Sequence, residues 1–191
     1  MRFLMIKNGT KHILADGCSH RGRKTTNYLK QEAYLMIGFI GAGQMAQALA
    51  KGLVHSGLFP ADDIFASDPN PTAQSAFLEL LPAAQVHHEN AHLVAKCKTI
   101  VLAVKPQQMK DVLLSIDSVL DSSHLVISIA AGIQLEWLAK GMINESRLAR
   151  VMPNTPCLVG QGVSCYALGR GATAEDAAFV DRLLCSVGTA F

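Results

Sequence analysis

The residues best placed by type and spacing to do chemistry are Gly41-Ala42-Gly43-Gln44-Met45-Ala46. They fit G-x-G-x-x-A, the spacing that cradles the pyrophosphate of a dinucleotide. Gly41 permits a tight turn. Gly43 has no Cβ, so an anion can reach the backbone, and Ala46 is small enough for a helix to lie close on a strand. The N–H groups freed at the start of that helix, and its positive dipole end, would face the anion. The plainer alternative is a glycine-rich strand–helix turn that binds nothing. Further along, Asp68 stands 25 residues after Gly43, near the offset of about 20 at which such sites carry an acid that reads the adenosine ribose. An acid there favours NAD, because a carboxylate repels a 2′-phosphate. Ser67 and Asn70 beside it are neutral donors able to serve a phosphate, and the turn Ser67-Asp68-Pro69-Asn70 contains no Arg or Lys. The alternative for Asp68 is a cap on the helix that follows.

Other candidate groups are weaker. Lys105 follows an apolar run and is a possible acid, since an ammonium shifts its pKa readily when buried. The pair Lys105-Pro106 is equally a backbone device in which Pro106 fixes φ. His87, His88 and His92 lack a Cys or Asp at ligand spacing, so solvated or capping histidines are expected and no metal site. No Ser-His-Asp set is visible.

The elements that must position these residues follow from hydrophobic period. Ile37 to Ile40 is a short apolar strand ahead of Gly41, and Met45, Ala46, Leu49, Ala50, Leu53 and Val54 recur at helical spacing after it. Asp63 to Ser67, Ala84 to His87, Thr99 to Val104, His124 to Ile129, Arg147 to Met152 and Gly162 to Leu168 read as strands. Between them, Thr72 to Leu80, Glu89 to Lys96, Gln107 to Leu120 and Leu135 to Gly141 read as helices, with Trp137, the single tryptophan, as a packing residue. Thr173 caps a last helix that runs to Ser186 with acids in its first turn, and one more strand begins at Gly188. This alternation implies an α/β fold, a Rossmann-like doubly wound, mostly parallel sheet with room for an antiparallel edge. Ligands in such sheets sit beyond the carboxyl ends of the strands. Residues 41–46, 67–70, 90, 103–106 and 130–132 all fall there or on adjoining helix starts. Ala130-Ala131-Gly132 is a run of small residues that would let a flat ring lie on the backbone; close packing of a helix on the sheet favours the same residues.

The chain has 191 residues, 50% apolar and 17% charged, a globular composition with no apolar run long enough to cross a membrane. Residues 1–35 carry seven Lys/Arg against Asp16 and Glu32, a net +5, so the rest carry −3 of the total +2. The basic character belongs to that leader, and residues 36–191 give no case for nucleic acid. The leader lacks a sustained period and is expected to be a poorly ordered extension or an upstream stretch read through a mistaken start site. It has neither the apolar core of a secretory signal nor the acid-poor, Arg-rich character of a mitochondrial one. The odd cysteine count (Cys18, Cys97, Cys157, Cys165, Cys185), without C-x-x-C, predicts free thiols in a reducing compartment, hence the cytoplasm.

Four motifs in order carry a family resemblance: Ile37-Gly38-Phe39-Ile40-Gly41-Ala42-Gly43-Gln44-Met45-Ala46, Ala103-Val104-Lys105-Pro106, Ser128-Ile129-Ala130-Ala131-Gly132 and Met152-Pro153-Asn154-Thr155-Pro156. Together they resemble the pyrroline-5-carboxylate reductases over about residues 36–191. The resemblance implies reduction of the cyclic imine 1-pyrroline-5-carboxylate to L-proline with NADPH or NADH. It implies that Ile40, Gly41, Ala42, Gly43, Gln44 and Met45 hold the pyrophosphate, and that Asp68 and Asn70 sit at the adenosine ribose or its phosphate. Asn90 would contact the adenosine side. Ala103, Val104, Lys105 and Pro106, with Ala130, Ala131 and Gly132, would border the nicotinamide and its ribose. Pro153-Asn154-Thr155 would shape the floor of the substrate side. Family members commonly carry serine where Asp68 stands, which suits NADP; the aspartate opens the question of NAD. The family also has a C-terminal helical domain of about 100 residues that grips the substrate and makes the homodimer. This chain is expected to be the cofactor part without that module. The alternatives are a nucleotide-binding fragment without turnover and a related β-hydroxyacid dehydrogenase-like enzyme. No membrane partner is implied.

Overall fold

Strand residues alternate between two buried faces, and that alternation builds the molecule. In a computed structural model, residues 36–142 and 146–191 are described in full, and from the first 35 residues only the backbone of two short strands. Those two, β1 (Leu4–Lys7) and β2 (Thr10–Ile13), pair antiparallel. The leader's other residues lie outside the described part.

The domain proper is one eight-stranded sheet. Its strands are β3 (Ile37–Ile40), β4 (Ile64–Ser67), β5 (Gln85–His87), β6 (Thr99–Leu102), β7 (Leu125–Ser128), β8 (Arg147–Met152), β9 (Gly162–Leu168) and β10 (Gly188–Ala190). Their spatial order is β10-β9-β8-β7-β6-β3-β4-β5. The six strands from β5 to β8 are parallel, while β9 runs antiparallel to β8 and β10 parallel to β9. The expected doubly wound sheet with an antiparallel edge is therefore present. The chain passes from β3 outward to β4 and β5, then returns to the other side of β3 with β6. Between β3 and β6 the winding reverses, and a crevice opens at the carboxyl edge.

Helices cover both faces. The helices α1 (Gln44–His55), α2 (Pro71–Leu80) and α6 (Ala174–Cys185) bury Leu49, Leu53, Phe77, Phe179 and Leu183 against Ile37, Phe39, Ala66, Val101 and Ile127. On the opposite face, α3 (Asn90–Lys96), α4 (Met109–Ile116) and α5 (Leu135–Gly141) bury Leu93, Met109, Leu113, Ile116 and Leu138 against Ile40, Ile100, Leu102 and Val126. Odd and even residues of one strand serve different cores, as a period of two requires. Gly38 is the exception that proves useful: a Cβ there would meet the Leu93 side chain at 2.2 Å, so its absence lets α3 lie tight on β3.

Several expectations shift in detail. β6 stops at Leu102 because Lys105-Pro106 begins a 3-10 turn, Pro106–Gln108, before α4. The cap of α2 is Asn70, whose side chain accepts from the Thr72 N–H at 3.0 Å, and not Asp68. Trp137 is 43% exposed; the neighbouring Leu138 does the packing. Thr173 and Asp176 form a reciprocal cap at the start of α6, and buried Asp176 also takes Arg147 at 2.6 Å. Cys97, Cys157 and Cys165 are free thiols. Cys185 is disulfide-bonded, against the expectation of five free thiols. Among the described residues no helix is long and apolar enough to cross a membrane.

Candidate functional site

The turn between β3 and α1 has the geometry a diphosphate needs. Gly41 sits at φ +98°, a conformation other L residues rarely adopt, and a Cβ on it would meet the Ala103 carbonyl oxygen at 2.7 Å. The turn is pinned from both sides: the Gly41 N–H donates to Ser67 O at 2.7 Å, and the Ala103 N–H to Ile40 O at 2.8 Å. Gly43 is different. Its backbone is extended, and a Cβ there would touch nothing within 4 Å. Its surface is open, so what its missing side chain leaves is an approach to the backbone. Gly43 is also the N-cap of α1, and no side chain caps that helix and no acid lies in its first turn. A twelve-residue helix with an uncapped start next to open backbone fits an anionic ligand.

The turn after β4, where the ribose is expected, is organised by Asp68. Its carboxylate accepts from the Ala42 N–H at 2.9 Å and from the Asn70 N–H at 2.9 Å. One acid thus joins the glycine turn after β3 to the turn after β4. Gln74 donates to its carbonyl oxygen, holding the turn from α2. Asn70 is committed to capping α2, so its side-chain oxygen faces its own helix. Asn90, at the start of α3, accepts from the Ser67 hydroxyl at 2.8 Å and donates to the Ser115 hydroxyl of α4 at 3.0 Å. Ser115 in turn donates to Val112 O at 2.7 Å.

Asp68, Asn90 and Ser115 line a cavity of about 240 Å³, whereas Ala42 and Asn70 do not. Of the expected residues, Ile40, Gly41, Asp68, Asn90 and Val104 are brought to it, together with Ser67 and Pro69. Gln108, Asp111, Val112 and Ser115 complete it from the α4 side, and sequence reading missed them. A signal for two of them existed: Asp111 and Ser115 are polar and four apart, on one stripe of a helix whose opposite face is apolar.

The residues expected on the nicotinamide side lie along the neighbouring strand ends. Lys105 is exposed and caps the 3-10 turn with its backbone, its carbonyl accepting from the Gln108 N–H at 2.9 Å. That geometry matches the backbone reading of Lys105-Pro106. Ala130 is buried at the end of β7, Ala131 is exposed, and Gly132 turns away at φ +76°. None of these three lines the cavity. A larger recess of about 520 Å³, between the later part of α1 and residues 157–160 and 185–188, contains no residue expected to bind the dinucleotide.

His87 stacks on Phe65, with ring centres 6.1 Å apart, and lies 4.7 Å from the His92 ring. Burial, then the charges of His92 and Lys96, lowers its pKa. Among the described residues no group of three His, Cys, Asp or Glu could hold a metal ion.

Sheet order, switch-point crevice and glycine turn together define a dinucleotide-binding domain of the Rossmann type. More particularly, the chain belongs to the family described as NADP oxidoreductase, coenzyme F420-dependent, whose model matches residues 36–132. It is 41% identical over 152 residues to a pyrroline-5-carboxylate reductase of Pisum sativum, covering 80% of this chain and 55% of that protein. Among solved structures it resembles a pyrroline-5-carboxylate reductase from Coxiella burnetii, with TM-score 0.78 and 27% identity over 84% of this chain and 58% of that one. The Plasmodium falciparum pyrroline carboxylate reductase, solved with NADP bound, gives TM-score 0.71 and 32% identity over 82% and 56%. The chain thus spans little more than half the length of these relatives.

Proposed function

We propose that this chain is the cofactor-holding part of an enzyme that reduces 1-pyrroline-5-carboxylate to L-proline with NADPH or NADH. The observation that carries the reading is the uncapped start of α1 beside the open backbone of Gly43, with Asp68 and Asn90 in the adjoining cavity. The relatives' printed activity supports the substrate.

The bound reduced nicotinamide supplies a hydride to the imine carbon. The protein's contribution is placement and exclusion of water. Gly43 to Met45 would hold the diphosphate through backbone N–H groups, while those of Gly41 and Ala42 are given to Ser67 and Asp68 and fix the turn. Asp68 would accept from the adenosine ribose, and Asn90 would keep β4 and α4 at fixed separation around the adenosine. Ala103 to Pro106 and Ala130 to Gly132 would offer a flat backbone surface to the nicotinamide and its ribose. Exposed Lys105 serves there through its backbone. Grip on the substrate carboxylate, proton donation and homodimer formation belong, on this reading, to the part of the relatives beyond the matched half. Three free thiols support a reducing, cytoplasmic setting; the bridge at Cys185 argues the other way.

The test is imine-dependent oxidation of NADPH and NADH, measured by loss of absorbance, with this chain and with one joined to a relative's second half. Turnover by the joined chain, and little by this one, is the expected result. A joined chain that binds dinucleotide and imine yet oxidises neither cofactor would remove the reductase reading.

A further inference from the structure

The adenosine end of the cleft has a charge pattern at odds with the NADP seen in the Plasmodium relative. No Lys or Arg occurs from residue 52 to residue 95. That stretch supplies the end of α1, all of β4, the turn 67–70, α2, β5 and most of α3. Among the described residues the cavity is lined by two carboxylates, Asp68 and Asp111, and by no Lys, Arg or His. Lys105 and Lys110 flank Gln108 in sequence, and neither lines it.

The Asp68 carboxylate is also fixed. Each oxygen already accepts one backbone N–H, from Ala42 and from Asn70. Swinging the side chain away would leave a part-buried amide without its acceptor, which costs more than the bond itself contributes. Each carboxylate oxygen retains a further lone-pair site for a hydroxyl donor. A ribose diol can use those sites. A 2′-phosphate, which has acceptors only and about two negative charges at neutral pH, cannot, and among the described lining residues it meets no cation to offset the repulsion.

We propose that this chain selects the dinucleotide with a free adenosine 2′-hydroxyl, NADH over NADPH, and that Asp68 is the residue that decides it. The inference rests on the dinucleotide reading of the same cleft. Asp68 acts by contact: its carboxylate receives the ribose hydroxyl and repels a phosphate in its place, while its bonds to Ala42 and Asn70 stop it yielding.

The experiment is a titration of the 191-residue chain with NADH and with NADPH, followed by reduced-nicotinamide fluorescence at one fixed salt concentration. NADH is expected to bind at least about tenfold more tightly. Asp68→Asn keeps an oxygen for the Ala42 N–H, removes the charge and gives up the bond from the Asn70 N–H; it is expected to bring the two dissociation constants within about threefold. Asp68→Ser is expected to move the ratio further toward NADPH. Equal or tighter binding of NADPH by the unaltered chain overturns the inference and leaves the dinucleotide reading standing, as does a ratio unmoved in a folded Asp68→Asn. Should neither variant fold, the unaltered chain's ratio decides alone. Binding of neither cofactor, to a chain whose circular dichroism and cooperative melting show it folded, overturns the dinucleotide reading and this inference with it.

Discussion

The two sides of the switch point are built from the same parallel βα units, yet their strand ends are finished differently. On the β3–β4 side the crevice is furnished with side chains: Asp68 bridges two turns, and Asn90 bridges Ser67 to Ser115. On the β6–β7 side it is furnished with backbone and small residues, Ala103 to Pro106 and Ala130 to Gly132, and the nearest charged group, Lys105, is exposed. Beyond it, β8, β9 and the 3-10 turn Thr155–Val159 between them leave Met152, Leu158, Val159 and Val163 exposed by 57%, 43%, 73% and 49%. The comparison teaches where specificity resides. A ribose is read by hydrogen bonds, so its side needs fixed polar groups. A flat ring is placed by shape, so its side needs room.

If the first side works through bare backbone at one point only, Gly43 is where it breaks. The residue has extended backbone and open space around its missing Cβ, so Gly43→Val should fold normally. Its branched side chain would occupy the approach to the α1 amides. Dinucleotide affinity should fall by about thirtyfold or more, close to 2 kcal/mol, with the melting midpoint little changed. Unimpaired binding in a titration would show that the anion is held elsewhere.

The contrast sharpens with Lys105. If the second side acts through backbone, Lys105→Ala should change dinucleotide affinity by no more than about twofold, because the carbonyl bond to Gln108 persists. A tenfold loss would restore the ammonium to the site.

How far the sequence reveals these two sides differs for the same reason. Ile37–Ile40, the glycine turn and α1 were legible because period and glycine spacing are local properties. The doubly wound, mostly parallel class followed from alternation of strand and helix, but the strand order did not, because pairing joins strands distant in the chain. The role of Asp68 was legible in part: its offset marks it, but its bond to Ala42 crosses 26 residues and exists only in three dimensions. The Asn90–Ser115 link was hidden, since it joins two helices across 25 residues and exists only in three dimensions. Asn70 and Trp137 carry features that residue type hides: the side-chain oxygen of the first caps α2, and the second, expected to pack, is 43% exposed. Local competition for backbone N–H groups and the outward direction of one helical face decided these, and neither is visible in residue type.

The smallest expected effect tests the fabric that supports the second side. His124, fully buried at the entry to β7, makes contacts with Asp121 at 2.8 Å and with Val94 O at 3.2 Å, tying that strand to α3. The bond from the Ser123 hydroxyl, aided by its N–H and by His124, holds the Asp121 carboxyl down at about 2, against an ordinary 3.8. A carboxyl depressed in the folded state adds stability that is present above its unfolded value and lost as pH falls through the folded one. The window is therefore from about pH 4 down to about pH 2. Because Asp121 is 58% exposed, solvent screens the contribution and it should be modest. Asp121→Asn should lower the melting midpoint slightly at pH 7, and the gap to the unaltered chain should close across that acid window. A gap that stays constant from pH 7 to pH 2 would mean that the carboxylate charge does nothing for β7, and that the His124 contact with Val94 alone fixes the strand.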